Sequence, residues 1–227
     1  TGKTSQLVVI DPETSTIIDR VSLPADNVSP ANKPEDQGET DRFDNKGQVS
    51  FTGLIFSPDG HRIYLSNVNG SIKVFGVIDG KVKPLYSIPL PAAHAPMRKN
   101  EIPSGLALSA DGAKLFVCGN LSNRLLEVDT QTGKLTRSWD VGVAPYDVVV
   151  SSGKAYVSNW GGRRPDETSL SGPAGQGTRV RVDPVRHIAG EGTVSIIDLE
   201  KNQVDAEIIV GLHPCGLILS PDGQYLL

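Results

Sequence analysis

Large side chains and reactive ones are both scarce in this sequence. Its 227 residues include two cysteines, one methionine, two tryptophans and five each of tyrosine and phenylalanine. Two cysteines, Cys118 and Cys215, are too few for a disulfide framework. The repeat described below sets them two units apart, beyond the about 7 Å between Cα atoms that a disulfide spans, so both are expected as buried free thiols. No apolar run approaches the roughly 18 residues that a membrane-spanning helix needs. Neither sign of charge dominates: a net charge of −4 gives no general attraction to nucleic acid or anionic lipid. The patterns Gly-x-Ser-x-Gly, Gly-x-x-x-x-Gly-Lys-Ser and His-x-x-x-His are all missing. No catalytic residue, metal-ligand set or cofactor is therefore expected.

What the sequence has is turns, with 24 glycines and 16 prolines among 38% hydrophobic residues. The informative stretch is 53–90, where short runs of Ile, Val, Leu, Phe and Tyr at 54–56, 63–65, 72–77 and 85–90 fit pleated, half-buried strands. Turn chemistry separates them. Ser57-Pro58-Asp59-Gly60 presets φ with proline, caps its own backbone with aspartate and accepts positive φ at glycine. Asn69-Gly70 and Asp79-Gly80 are two further hairpin signals.

This four-strand unit repeats. The first strand and its turn recur as 103–112, 145–153 and 214–223, and the second as 115–120 and 155–159. The third and fourth recur as 7–11 with 17–23, 125–129 with 135–141, and 194–198 with 204–210. Four strands every about 42 residues is the signature of a β-propeller blade. The expected fold is all-β: a propeller of four-stranded antiparallel blades, with about four blade equivalents in this chain.

The Ser-Pro-Asp-Gly turn, Tyr156-Val157-Ser158-Asn159 and the strand Gly-Thr-Val-Ser-Ile-Ile-Asp-Leu at 192–199 resemble the YVTN/YncE-type bacterial propeller repeat. The segment 156–164, its long insertion and the following strand are similar to exported bacterial propellers that precede an alkaline-phosphatase-type phosphoesterase domain. The resemblance implies a seven-bladed ring, a periplasmic or extracellular location and a downstream phosphoesterase domain as a partner. No phosphoesterase metal motif occurs in these residues, so that activity does not carry over. The Asn-x-Ser patterns at Asn27, Asn69 and Asn120 are read as coincidence in a bacterial-type sequence.

In order, the expected organisation is a half blade at 1–24, blades at 48–90, 102–142 and 145–211, and the start of another at 212–227. The chain thus starts and stops inside blades, and both ends are expected to be cut, with any export signal beyond them. Mid-sized Leu, Val and Ile between sheets are too small for the wide wedges of a closed four-bladed ring, so an open arc is expected, with 7–11 not paired to 224–227. Leu54, Phe56, Leu106, Leu108, Val148, Val150, Leu217 and Leu219, on the innermost strands, are expected in the core.

Strand reversal decides where binding sits. Connections within strand pairs one–two and three–four are short, whereas the long segments 25–47, 91–101 and 161–191 all fall on the other face. Elaborated loops on a rigid scaffold are where binding usually resides. Ser104, Tyr146, Asp147, His213 and Cys215 start the inner strands on that face and should line the channel mouth. The 161–191 insertion, in which 178–182 has strand alternation, adds Arg163, Arg164, Arg179, Arg181 and Arg186. They suit either an anion site or internal pairing with Asp166, Glu167, Asp183 and Glu191. His94, His187 and His213 can reach the same face as ordinary loop histidines, whereas His61 belongs to the opposite one. Trp160 either anchors the root of the insertion or stacks on a ligand. The candidate binding residues are Tyr146, Asp147, Trp160, Arg163, Arg164, Arg179, Arg181, His187 and His213. The expected role is a non-catalytic scaffold for an unknown small ligand or protein. Alternatives are part of a hydrolase, either a lactonase-like propeller or an accessory to a phosphoesterase, and nucleic-acid binding through the arginine-rich insertion; nucleic acid is the less expected partner.

Overall fold

The computed structural model describes residues 5–26, 30, 43, 44 and 46–227, with Phe51 described for its backbone only. Among these residues, sixteen strands fall into three four-stranded antiparallel sheets and two pairs. The pair β1(Gln6–Asp11) and β2(Thr16–Ser22) comes first. Blade 1 is β3(Val49–Phe56), β4(Arg62–Asn67), β5(Ser71–Ile78) and β6(Lys81–Pro89), in that spatial order. Blade 2 is β7(Pro103–Leu108), β8(Lys114–Gly119), β9(Arg124–Asp129) and β10(Leu135–Asp140). Blade 3 is β11(Pro145–Ser151), β12(Lys154–Asn159), β15(Gly192–Asp198) and β16(Gln203–Val210). Between β12 and β15 the insertion forms its own hairpin, β13(Ser171–Pro173) with β14(Arg179–Arg181), around a single 3-10 turn at 175–177. The chain is an all-β propeller of up-and-down four-stranded blades. Among the described residues no helix is long and apolar enough to cross a membrane.

The repeated turn works as its chemistry requires. Asp59 accepts from the Ser57 hydroxyl and from His61 N–H, and the Ser57 oxygen accepts from Arg62 N–H. The same bonds recur around Ser109 and Asp111, and around Ser220 and Asp222. The closing glycines Gly60, Gly112 and Gly223 lie at φ 72°, 69° and 69°, a region that costs glycine nothing. The first two of these turns lie side by side at one end of the strands, where Pro58, Asp59, Asp111 and Gly112 share a hollow. The insertion leaves from the opposite end, after Asn159.

Adjacent blades are joined by a hydroxyl on the second strand. Ser66 donates to Ser104 O at 2.7 Å, and Ser158, at the same repeat position, donates to Cys215 O at 2.6 Å. The middle copy has Cys118 there, and Ser104 bridges instead by donating to Pro145 O at 2.7 Å. The inner strands run so close that a Cβ on Gly105 would lie 2.5 Å from Asp147 Cα. Glycine is required at that position.

The core forms between blades, not along the innermost strands. Tyr64, Ile72, Val74, Tyr86 and Ile88 of blade 1 pack against Leu106, Leu115, Val117, Leu126 and Val128 of blade 2. Phe116, Cys118, Leu125 and Trp139 of blade 2 meet Val148, Ala155, Val157 and Ile197 of blade 3. Of the expected core set, Leu106 and Val148 are buried, while Leu108, Val150, Leu217 and Leu219 are partly buried. Leu54 and Phe56 are exposed, at 44% and 58%. Their side of β3 faces the β1–β2 pair, whose Val21 and Leu23 pack on Ile63, Leu65 and Phe75 of β4 and β5 and do not reach β3. Lys73, fully buried on β5, ties this pair down by donating to Pro24 O at 2.8 Å and pairing with Asp26 and Asp44 at 2.8 and 2.7 Å. Cys118 is buried as expected, and burial pushes its thiol pKa up. Cys215 is exposed, against expectation, because residues 211–227 form no regular sheet with a neighbour on their far side.

Among the described residues the arc is open: β1 bonds to β2 alone, while residues 218–220 bond to 225–227 in a separate hairpin. Most of the segment 25–47 lies outside the described residues.

Candidate functional site

A cavity of about 320 Å³ opens on the loop-bearing face between blades 2 and 3. Asn120 and Leu121 come from the β8–β9 turn, Val143, Ala144 and Tyr146 from the blade 2–3 connection, and Trp160 and Gly161 from the end of β12. The insertion hairpin supplies Ala174, Gly175, Thr178 and Val180. No wall residue carries a carboxylate, imidazole, amine or thiol.

Each wall is fixed by a nameable bond. Glu101, 1% exposed, accepts from Ile102 N–H at 2.9 Å and Leu121 N–H at 2.8 Å with one oxygen, and from Ser122 N–H at 3.2 Å with the other. That carboxylate occupies the space where Asn67 and Asn159 sit in the other blades; Gly119 takes their place, and a Cβ there would lie 2.9 Å from Glu101 Oε2. Asn120 donates from Nδ2 to Pro145 O at 3.3 Å. Ala144, with φ 55°, donates its N–H to Asn123 Oδ1 at 2.9 Å, while its carbonyl accepts from Trp160 N–H.

The insertion runs as a strap over blade 2. At its tip Gln176 O accepts from Met97 N–H at 3.0 Å, and Gly177 packs on Pro96 and Met97, so the 91–101 loop and the insertion close on each other. At its root Val143 O accepts from Gly161 N–H and Val143 N–H donates to Gly162 O, and Val143, Val180 and Ala189 form a small core. The alternation at 179–181 turns Val180 inward and leaves the two arginines outside.

Two of the candidate residues meet directly: Trp160 and His213 stack with centroids 3.9 Å apart and planes 20° from parallel. His213 holds the position after Leu212 that Ala144 holds after Val143, with the same left-handed backbone (φ 54°). Tyr146 lines the cavity beside Trp160. Asp147 sits next to Tyr146, but its oxygens accept backbone N–H groups, Oδ1 from Val148 and Oδ2 from Leu217, both at 2.9 Å. It ties the fourth repeat to blade 3, in a position that Gly53, Gly105 and Gly216 fill elsewhere.

The arginines are spent within the chain. Arg163 grips Glu191 with two bonds at 2.9 and 2.7 Å, which holds the Glu191 carboxyl below its ordinary pKa. Arg164 donates to Val141 O and Asn123 O and meets Asp140. Arg179 closes on Ser171. Arg181 reaches Arg164 O and Asp166, whose carboxyl is held low by the Thr168 and Ser169 hydroxyls and by this guanidinium. Arg186 pairs with Asp183. The internally paired form of the loop is the one observed, and it assembles no anion cradle. His187 lies apart from the cavity, in a turn where its N–H bonds Asp183 O, and His94 is exposed on the 91–101 loop. Among the described residues no group of three or more His, Cys, Asp or Glu could hold a metal ion.

Sequence reasoning missed Asn120, Leu121, Val143, Ala174 and Thr178 as walls, and Glu101 as their support. One signal was legible: Gly119 breaks the Asn67/Asn159 pattern, which marks a side chain arriving from elsewhere.

No family model and no curated protein matches this chain. Among solved structures it is similar to hydrazine synthase of Kuenenia stuttgartiensis, at 20% identity and TM-score 0.45, over 85% of this chain and 56% of that one. U3-55K matches at 18% identity and TM-score 0.47, over 75% of this chain and 42% of that one. The WD40 repeats of RRP9 match at 16% and 0.47, over 84% and 44%. The chain thus spans about half the length of these structures. Its own four-stranded sheets carry the fold assignment.

Proposed function

We propose that the chain is a non-catalytic propeller scaffold that binds a ligand or protein partner on its loop-bearing face. The observation that carries this is the cavity beneath the insertion strap, bounded by Tyr146 and Trp160. Clefts of about 300–1,000 Å³ with mostly apolar walls and a few polar groups are the usual form of a ligand site. The walls hold no pair of groups suited to acid–base or nucleophilic chemistry, which supports binding over turnover. The YVTN/YncE-type repeat supports a finer reading. The chain would be a module of an exported bacterial YncE-like protein, working in the periplasm or outside the cell, with a phosphoesterase domain following it. With the arginines bonded internally, the strap offers little to a phosphate backbone, which depends on free cationic groups.

Chemical-shift mapping tests the face. An isotope-labelled chain screened against fragment-sized molecules should show shifts concentrated at 96–97, 120–121, 143–146, 160–161 and 174–180. Shifts concentrated on the turns at 57–61 and 109–113 would overturn the assignment.

A further inference from the structure

We infer that the cavity takes an uncharged small molecule built on a flat ring and carrying a hydrogen-bond donor. This rests on the loop-bearing face being the binding face, and it names the ligand class that face accepts.

Size and enclosure come first. About 320 Å³ lies at the small end of ligand sites. The strap, pinned at its tip to Met97 and at its root to Val143, forms one wall of the cavity, and a space this small suits a small molecule better than the surface of a folded partner.

Charge decides next. None of the walls is ionisable near neutral pH, and the nearby arginines Arg163, Arg164 and Arg181 are each bonded to a carboxylate within the chain. An ion entering these walls would lose water and gain no counter-charge, which is costly, whereas a neutral ring gains from burial.

Shape and polarity follow from Trp160 and Asn120. His213 already covers one face of the Trp160 ring, so the side chain is held at a fixed angle and contacts the cavity with what remains. Such a rigid aromatic wall favours offset or edge-on contact with another ring. Asn120 uses Nδ2 on Pro145 O, and the Thr178 hydroxyl donates to Gly175 O at 2.7 Å. Both side chains keep acceptor capacity, Oδ1 of Asn120 and the Thr178 oxygen. An O–H or N–H on the ligand finds an acceptor in either one.

The test is a titration of the full chain with phenol, indole, benzoate and benzylammonium, four small rings that differ in charge. Phenol and indole should bind, and both ions should bind at least about tenfold more weakly. Trp160→Ala should weaken phenol and indole by about tenfold or more. Ala174→Asp, which adds a carboxylate to the strap, should turn the preference toward benzylammonium. That gain of binding cannot come from a chain that has failed to fold. If benzoate or benzylammonium binds as tightly as phenol, and does so through Trp160, the ligand class is wrong and the face assignment stands. If no ring binds to the folded chain, both fall.

Discussion

Leu54 and Leu106 occupy the same position of the repeat, each following a glycine within an inner strand, yet one is 44% exposed and the other 5%. The sequence around them hardly differs; their neighbours do. β7 lies between β3 and β11, and Leu106 faces blade 1. Leu54 faces the β1–β2 pair, whose packing falls on β4, β5 and β6 and leaves Leu54 exposed. In a propeller, burial is a property of the gap between two sheets. A strand contributes stability only where the preceding sheet supplies the other wall.

The largest effect is expected where the shallow side of blade 1 is held. Lys73→Ala leaves Asp44 without its partner in a mostly buried position. It should cost about 3–5 kcal/mol, seen in urea unfolding, and should raise hydrogen exchange in β1 and β2 before blade 2. Equal exchange in both would show that the pair is held by its apolar contacts instead.

Leu106→Ala should cost about 2–5 kcal/mol and Leu54→Ala under about 1. Equal losses would mean that β1 and β2 cover β3 in solution. A second pair separates close approach from conformation. Gly105→Ala places a Cβ 2.5 Å from Asp147 Cα, whereas Gly216→Ala finds nothing nearer than Asp147 Oδ2 at 3.8 Å. We expect a loss of about 1–3 kcal/mol for the first and within about 0.5 for the second, measured by thermal unfolding.

The smallest effect is common to both regions. The Ser57 hydroxyl and His61 N–H hold Asp59 at a pKa of about 2, below the ordinary carboxylate value of about 3.9. Because the folded value is the lower one, this carboxylate stabilises the fold fully above about pH 4, and the contribution fades as pH falls toward about 2. Asp59→Asn should flatten the melting temperature between those limits relative to the native chain. An unchanged pH profile would show that the turn forms without the charge.

The blades were legible because strand, turn and spacing repeat in step, so the Ser-Pro-Asp-Gly turns and the second-strand serines appear where the pattern puts them. The exposure of Leu54 and Phe56 was not legible, since a residue's own strand says nothing about the reach of the sheet opposite. The site was half legible. Loop lengths place the elaborated face, and Tyr146, Trp160 and His213 come together there. The arginines drew attention by number, but their partners Glu191, Asp166 and the Val141 carbonyl could be assigned only in three dimensions. Asp147 looked like a ligand group and is a tie between repeats, as its replacement of a repeat glycine allows once the approach of Leu217 is known.

The exposed apolar residues Phe56 and Ile209, at 58% and 55%, are rival places for a ring to settle. A crystal soaked in 4-bromophenol, neutral at pH 7, sets them against the strap cavity, because the anomalous signal of bromine marks where the ring lies. The principal bromine peak is expected between Leu121, Val180 and Trp160. A peak on the open strands β3 or β16, with the cavity unoccupied, would contradict it.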